Sequence, residues 1–240
     1  MTELQRLAGI VISPRKTFED IQQRPTWILP VALLLVFHLL GDFVLFRVVI
    51  TDANFDQLAR AKVQGDAGVA GRQNSPAEEA QQIDTLRRER VHWYFFTLIA
   101  VPLSLLVLSL FFYIVLRLTG TDVTFPKVLV VVCWTSVIYR CIGGAFTITT
   151  LLVRGPANFF PGPSEAWSPT SIAQLVPRSA VSPKVYSSLV KLDIFLVWWL
   201  AVLSIGFAKI SKNLSLAKSG VLVAVCEVIY LLVNAFRWPR

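Results

Sequence analysis

Thr119-Gly-Thr-Asp-Val-Thr-Phe-Pro-Lys127 leads directly into an apolar run, Val128 to Val153, and this junction decides the fold. A run of that length crosses ~30 Å of hydrocarbon at ~1.5 Å per residue. Gly120 and Asp122 predict a short turn, and Pro126 opens the helix behind it. Inside the run stands one guanidinium, Arg140. Such a residue costs ~3 kcal/mol on insertion scales and therefore faces protein or water rather than lipid tails. The remainder of the chain is expected to supply its partners.

The composition agrees with a membrane solvent. The 240 residues are 55% hydrophobic and only 16% charged, with a mean hydropathy of +0.61; a soluble domain is nearer a quarter charged. The net charge of +8 comes without any basic cluster interleaved with aromatics, so nucleic acid is not expected as a partner. Lys and Arg instead collect at the ends of apolar blocks, where they meet headgroups. Cys133, Cys141 and Cys226 lie inside apolar blocks and read as small buried hydrophobes. Their odd number and spacing offer neither a disulfide frame nor a metal site.

The fold class that follows is an all-α polytopic membrane protein, a bundle of five transmembrane helices with short amphipathic interfacial helices. Residues 1–26 form a cytoplasmic amphipathic segment. Ser13 caps a helix through Gln23, opened by Pro14, with Phe18 and Ile21 on one face. The expected spans are 27–50, 93–118, 125–153, 189–209 and 219–236. Residues 51–92 form a helical extramembrane insertion, with a flexible stretch around Gly65–Gly71. In it Ser75-Pro-Ala-Glu78 is a capping box that starts a helix running unbroken into the second span, where Pro102 predicts a kink. A Pro-rich connector, 154–188, carries Phe159, Phe160, Trp167, Ile172, Leu175 and Val176 and folds back on the membrane surface or over the bundle. Ser182-Pro183 begins the helix expected to carry the fourth span.

Five spans put the termini on opposite sides. Residues 1–26, 117–127 and 209–218 hold nine Lys and Arg, which places the amino terminus inside and the carboxyl terminus outside. Arg87, Arg88 and Arg90 beside the second span pull the other way.

Counting from the expected inner edges gives depths. Asp42, fifteen residues past Trp27, lies ~22 Å in; Arg140, thirteen past Lys127, ~20 Å; Asp193, sixteen before Lys209, ~24 Å. Asp42 and Asp193 are thus candidate carboxylates for a clamp on Arg140, since bidentate pairing offsets much of the burial cost. The same group could line a polar pocket for a lipid headgroup, ion or proton. Glu227, ~14 Å in, has no depth-matched cation and reaches for Tyr230, His38 or a carbonyl. Gly143-Gly144 allows either a close helix approach or a break in the span.

No phosphate loop, dinucleotide fingerprint, zinc-protease or nucleophile-elbow pattern occurs, and His38 and His92 stand apart from any nucleophile. Catalysis, cofactor and metal are therefore not expected.

Several stretches together resemble bacterial members of the YIP (Ypt/Rab-interacting protein) family. They are Ser13-Pro-Arg-Lys-Thr-Phe-Glu-Asp-Ile21 with Arg24-Pro-Thr-Trp27, Leu118 to Lys127, and Leu192-Asp-Ile-Phe-Leu-Val-Trp198 followed by Gly206 and Leu216-Ala-Lys218. Residues 51–92 and 154–182 look like insertions. The resemblance implies five spans, a cytoplasmic amino terminus, a bacterial cytoplasmic membrane and no catalysis. For a bacterial member the resemblance implies little about biochemical role; the leading expectation is a non-enzymatic protein that organises other membrane proteins, lipids or further copies of itself. Small-GTPase binding, implied for eukaryotic members, is not expected, because their long cytoplasmic amino-terminal region has no counterpart here.

Overall fold

The computed structural model describes residues 1–49, 55–57, 59–60, 63–64, 67, 74–154, 169–177 and 180–237, and these are all-helical. The Gly65–Gly71 stretch, apart from Ala67, and the connector residues Phe159, Phe160 and Trp167 lie outside them. The helices are α1 (Glu3–Ile12), α2 (Pro14–Gln23), α3 (Ile28–Val44), α4 (Pro76–Leu118), α5 (Phe125–Ser136), α6 (Gly144–Arg154), α7 (Pro183–Lys191), α8 (Ile194–Ile210) and α9 (Leu216–Arg237). Two π-helical stretches continue helices without a break: Leu45–Val49 after α3, and Val137–Gly143 between α5 and α6.

Among the described residues, three helices are long and apolar enough to cross a bilayer: Phe95–Leu118 within α4, Phe125–Val153, and Leu216–Val233 within α9. The other two apolar helices, α3 and α8, are each 17 residues, ~25 Å of rise. The expected capping box is present: Ser75 Oγ accepts from the Glu78 N–H and Glu78 Oε2 accepts from the Ser75 N–H. With Pro at its first position the helix then runs unbroken for 43 residues.

The described chain divides into two units. The first comprises Met1–Phe37, Leu98–Gly143 and Ile194–Leu232. Its centre is α5, where Val130 to Ile138 are all buried. Valine-rich α5 packs on α8, meeting it where Val131 closes on Gly206, and Val202, Leu203 and Phe207 of α8 are buried. Helix α2 lies across α8, with Phe18 and Ile21 fully enclosed. Gly206 permits this. A Cβ there would sit 2.5 Å from Val131 Cγ1 and 2.9 Å from Phe18 Cζ, so only a residue without one lets the elements close. Gly9 does the same between α1 and α2, where a Cβ would meet Thr17 Oγ1 at 2.3 Å.

The second unit comprises His38–Thr97, Gly144–Asp193 and Val233–Arg240. There Ala59 and Val63 pack on Ile83 of α4, with Phe55 and Leu86 at the edges and an Arg87–Asp56 ion pair outside. Ala173, Tyr186 and Val190 form a small core joining residues 172–175 to α7.

Three local expectations are corrected. The amino-terminal segment holds two helices, not one: Thr2 and Gln5 form a reciprocal capping box that starts α1. Ser13 makes no side-chain cap: its backbone, φ −141° and ψ 59°, is not in the extended conformation from which an N-cap hydroxyl reaches the second or third helical N–H. The helix capped by Ser182 stops at Lys191, and a separate helix begins at Ile194, with Leu192 extended between them.

Replacing Gly206 by Ala is expected to destabilise the protein by about 1–3 kcal/mol through overpacking. The Val131→Ala change in the same chain should recover part of that loss. A double-mutant cycle on thermal unfolding in detergent checks the coupling, and strict additivity would contradict the packing described.

Candidate functional site

Arg140 sits in the π-helical stretch between α5 and α6, half-buried, and its Nη1 donates to Ser104 Oγ at 3.0 Å. Ser104 in turn donates to the Val101 carbonyl at 2.8 Å. Both lie beside Pro102, whose missing N–H frees a carbonyl of the preceding turn of α4. The guanidinium therefore meets α4 within one turn of Pro102. Tyr139, the neighbour of Arg140, packs its ring against Trp199 of α8 with centroids 6.1 Å apart. Among the described residues the buried indole N–H of Trp199 has no hydrogen-bond partner. Gly143 ends the π-helical stretch pressed on Phe195, where a Cβ would lie at 3.2 Å, and Gly144 continues it as α6.

The other expected residues are placed as follows. Asp42, in the second unit, is half-buried and accepts from Thr97 Oγ1 at 2.7 Å. Asp193 stands in the two-residue junction ahead of α8, where a carboxylate suits the N–H groups of a helix start. Glu227 is half-buried on α9 within the first unit. Within the first unit, then, Arg140 and Ser104 are together; within the second, Asp42 and Thr97.

Ser104 and Thr97 were not foreseen, since a hydroxyl inside an apolar block carries no sequence signal of its partner. A larger polar cluster was also missed. Arg6 of α1 is 1% exposed. Its Nε donates to Asp20 Oδ2 at 2.7 Å, and its Nη1 to Glu3 Oε1 at 2.9 Å and Thr26 Oγ1 at 2.8 Å. The Thr26 carbonyl accepts from Trp134 Nε1 of α5 at 2.7 Å. Next to this, Lys209 of α8 donates to Glu19 at 2.5 Å. Asp122 accepts from Ser211 Oγ at 3.2 Å and from the Lys212 N–H at 3.4 Å.

These carboxyls are acidified. Glu19 is held below its ordinary value by the Lys209 hydrogen bond and then by its charge. Asp20 is lowered by the amino-terminal ammonium and then Arg6. For Asp122, burial pushes upward, but hydrogen bonds from its own N–H, Ser211 and Lys212 outweigh it. Among the described residues no group of His, Cys, Asp and Glu is placed to hold a metal ion, and the three cysteines are free and buried.

Long apolar helices threaded by a few satisfied polar groups define a polytopic integral membrane protein. The Yip1 domain family model matches residues 8–236, and the chain belongs to that family. No curated protein and no solved structure matches it.

Two outcomes follow for the amino-terminal cluster. Arg6→Leu removes several charge-assisted bonds and should cost about 1.5–3 kcal/mol or more, read as a lower unfolding temperature in detergent. The acid response has a definite sign. A carboxyl whose folded pKa is depressed contributes stability that is complete above its ordinary value, 4.5 for Glu19 and 3.8 for Asp20 and Asp122, and is lost as pH falls through the lower folded value. Unfolding temperature should therefore hold from neutral pH to about pH 5 and fall below about pH 4. Asp20→Asn should flatten that fall; an unchanged acid limb would contradict it.

Proposed function

We propose that this Yip1-family protein is a non-enzymatic membrane scaffold, which holds other membrane proteins, or further copies of itself, in a defined place in the bilayer. Five helices cross the membrane, α3 and α8 being the short ones, with the amino terminus inside a bacterial cytoplasmic membrane. Arg140 serves as an intramembrane tie, shared between Ser104 and the carboxylates of Asp42 or Asp193. The observation that carries this reading is where polar groups are spent. The Arg6, Arg140 and Lys209 side chains, and Asp42, all bond to residues on other segments. Such use suits a rigid platform better than a reacting centre.

A second reading, a small transporter or lipid-handling protein with a polar site around Arg140, Asp42, Asp193 and Glu227, is favoured by one observation. Arg140 occupies a π-helical turn, a feature frequent at ligand sites, and the unpaired Trp199 N–H lies one ring contact from its neighbour.

The two separate by experiment. In-membrane photo-crosslinking followed by affinity purification from native membrane should return the same few partner proteins, or this chain itself, in repeated preparations. The purified protein in vesicles should move neither lipid nor ions. Lipid or ion movement that Arg140→Leu abolishes, with no reproducible crosslinked partner, would overturn the scaffold. As a tie, Arg140→Leu should lower the unfolding temperature in detergent, while Arg140→Lys retains part of the parent value through the Ser104 bond.

A further inference from the structure

α1 has a face that the described residues leave largely open, with Leu4, Ala8 and Ile12 exposed and Leu7 and Val11 half-buried. Its buried side is Arg6, Gly9 and Ile10, turned to α2. The opposite side is Leu4, Leu7, Ala8, Val11 and Ile12, a stripe at helical spacing. Leu4 is 77% and Ile12 78% exposed. Two exposed aliphatic side chains alone mean little; a continuous stripe on a capped helix, held by a buried arginine, is a surface with an occupant.

The height of α1 says which occupant. Helix α2, on which α1 lies, is not outside the apolar helices but beside their ends. Phe18 reaches the space at Gly206 and Val131. Val131 is six residues inside the start of α5, ~9 Å along it. Arg6 bonds Thr26, the residue immediately before exposed Trp27 and Ile28, with which the first apolar segment opens. The Thr26 carbonyl is itself bonded by Trp134, three residues further into α5 than Val131. A helix held at that level, facing outward, looks sideways into lipid rather than up into water. Around it Arg15, Lys16 and Arg24 are exposed, as basic groups at a headgroup layer are.

We infer that α1 is an interfacial membrane anchor: its Leu4–Leu7–Ala8–Val11–Ile12 stripe is seated in the acyl–headgroup boundary of the leaflet at this end of the spans. This reverses the assignment read from periodicity. The α2 face of Phe18 and Ile21 is spent on protein, and the lipid-facing role passes to the helix before it. The buried Arg6 is what permits the division. Its bonds to Asp20 and Thr26 fix the polar side of α1 to protein, so that the apolar side can only turn outward. The consequence is mechanical. A leaflet change that displaces α1 pulls, through Arg6 and Thr26, on the start of the first span and on Trp134 of the central helix.

The test places a nitroxide at Leu4→Cys, Ile12→Cys or Ala8→Cys in the full chain, with Gln22→Cys on exposed α2 as the aqueous reference. Unsubstituted protein labelled in parallel gives the background from Cys133, Cys141 and Cys226. In vesicles of phosphatidylcholine and phosphatidylglycerol, the ratio of oxygen to aqueous nickel-chelate collision rates should be several-fold higher at positions 4, 8 and 12 than at 22. A ratio at those positions equal to that at 22 means a solvated helix and overturns the proposal. Low accessibility to both reagents also overturns it. With spin–spin broadening that outcome assigns the stripe to a second copy of this chain, and without broadening to another protein.

Discussion

The absence of a side chain at Gly206 is the constraint on which the first unit depends. Three elements approach within van der Waals distance at that point: α8 by its backbone, α5 through Val131, and α2 through the ring of Phe18. Within a bilayer, helices gain nothing by hiding apolar surface from one another, because lipid is equally apolar. Close fit and hydrogen bonding must do the work. A glycine at the crossing supplies the fit. The bonds on either side, Lys209 with Glu19 and Trp134 with the Thr26 carbonyl, supply the rest. Deleting the closeness leaves those partners too far apart to bond, so the packing and the polar contacts stand or fall together.

Arg6 and Arg140 show two solutions to one problem. Each guanidinium is taken out of bulk water and must be repaid in hydrogen bonds. Arg6 is almost wholly enclosed, and it is served by two carboxylates, a hydroxyl and a carbonyl. It is a completed structural group. Arg140 is only half-buried and bonds a serine hydroxyl that is itself anchored to α4. Its surroundings are softer: a π-helical turn on its own helix and a proline on the facing one. Of the two, Arg140 is thus the less enclosed and Arg6 the more fully bonded among the described residues.

What was legible in the sequence follows the range of the forces involved. Apolar runs and capping signatures are local, so the long α4 from Ser75, the run through Arg140 and the all-helical class could be read directly. The Thr2-Glu-Leu-Gln5 box is equally local and marks the start of α1. The direction a face points is not local. Phe18 and Ile21 have the same spacing whether they meet lipid or Gly206, and only the fold distinguishes them. Asp42 is similar: depth counting proposes partners by charge, whereas Thr97, fifty-five residues away, offers a hydroxyl that no charge rule finds.

The π-helical stretch explains why depth counting is weakest where it matters most. A π turn inserts an extra residue into the helical register, so groups beyond Val137 are rotated by about a quarter-turn or more from where 3.6-residue periodicity places them. Arg140, Gly143 and everything after them in that span are affected. An α-helical register there would point Arg140 elsewhere on the helix surface, and the Ser104 bond beside Pro102 would be lost. The π-helical turn thus aims the guanidinium at Ser104 of α4, two residues past Pro102.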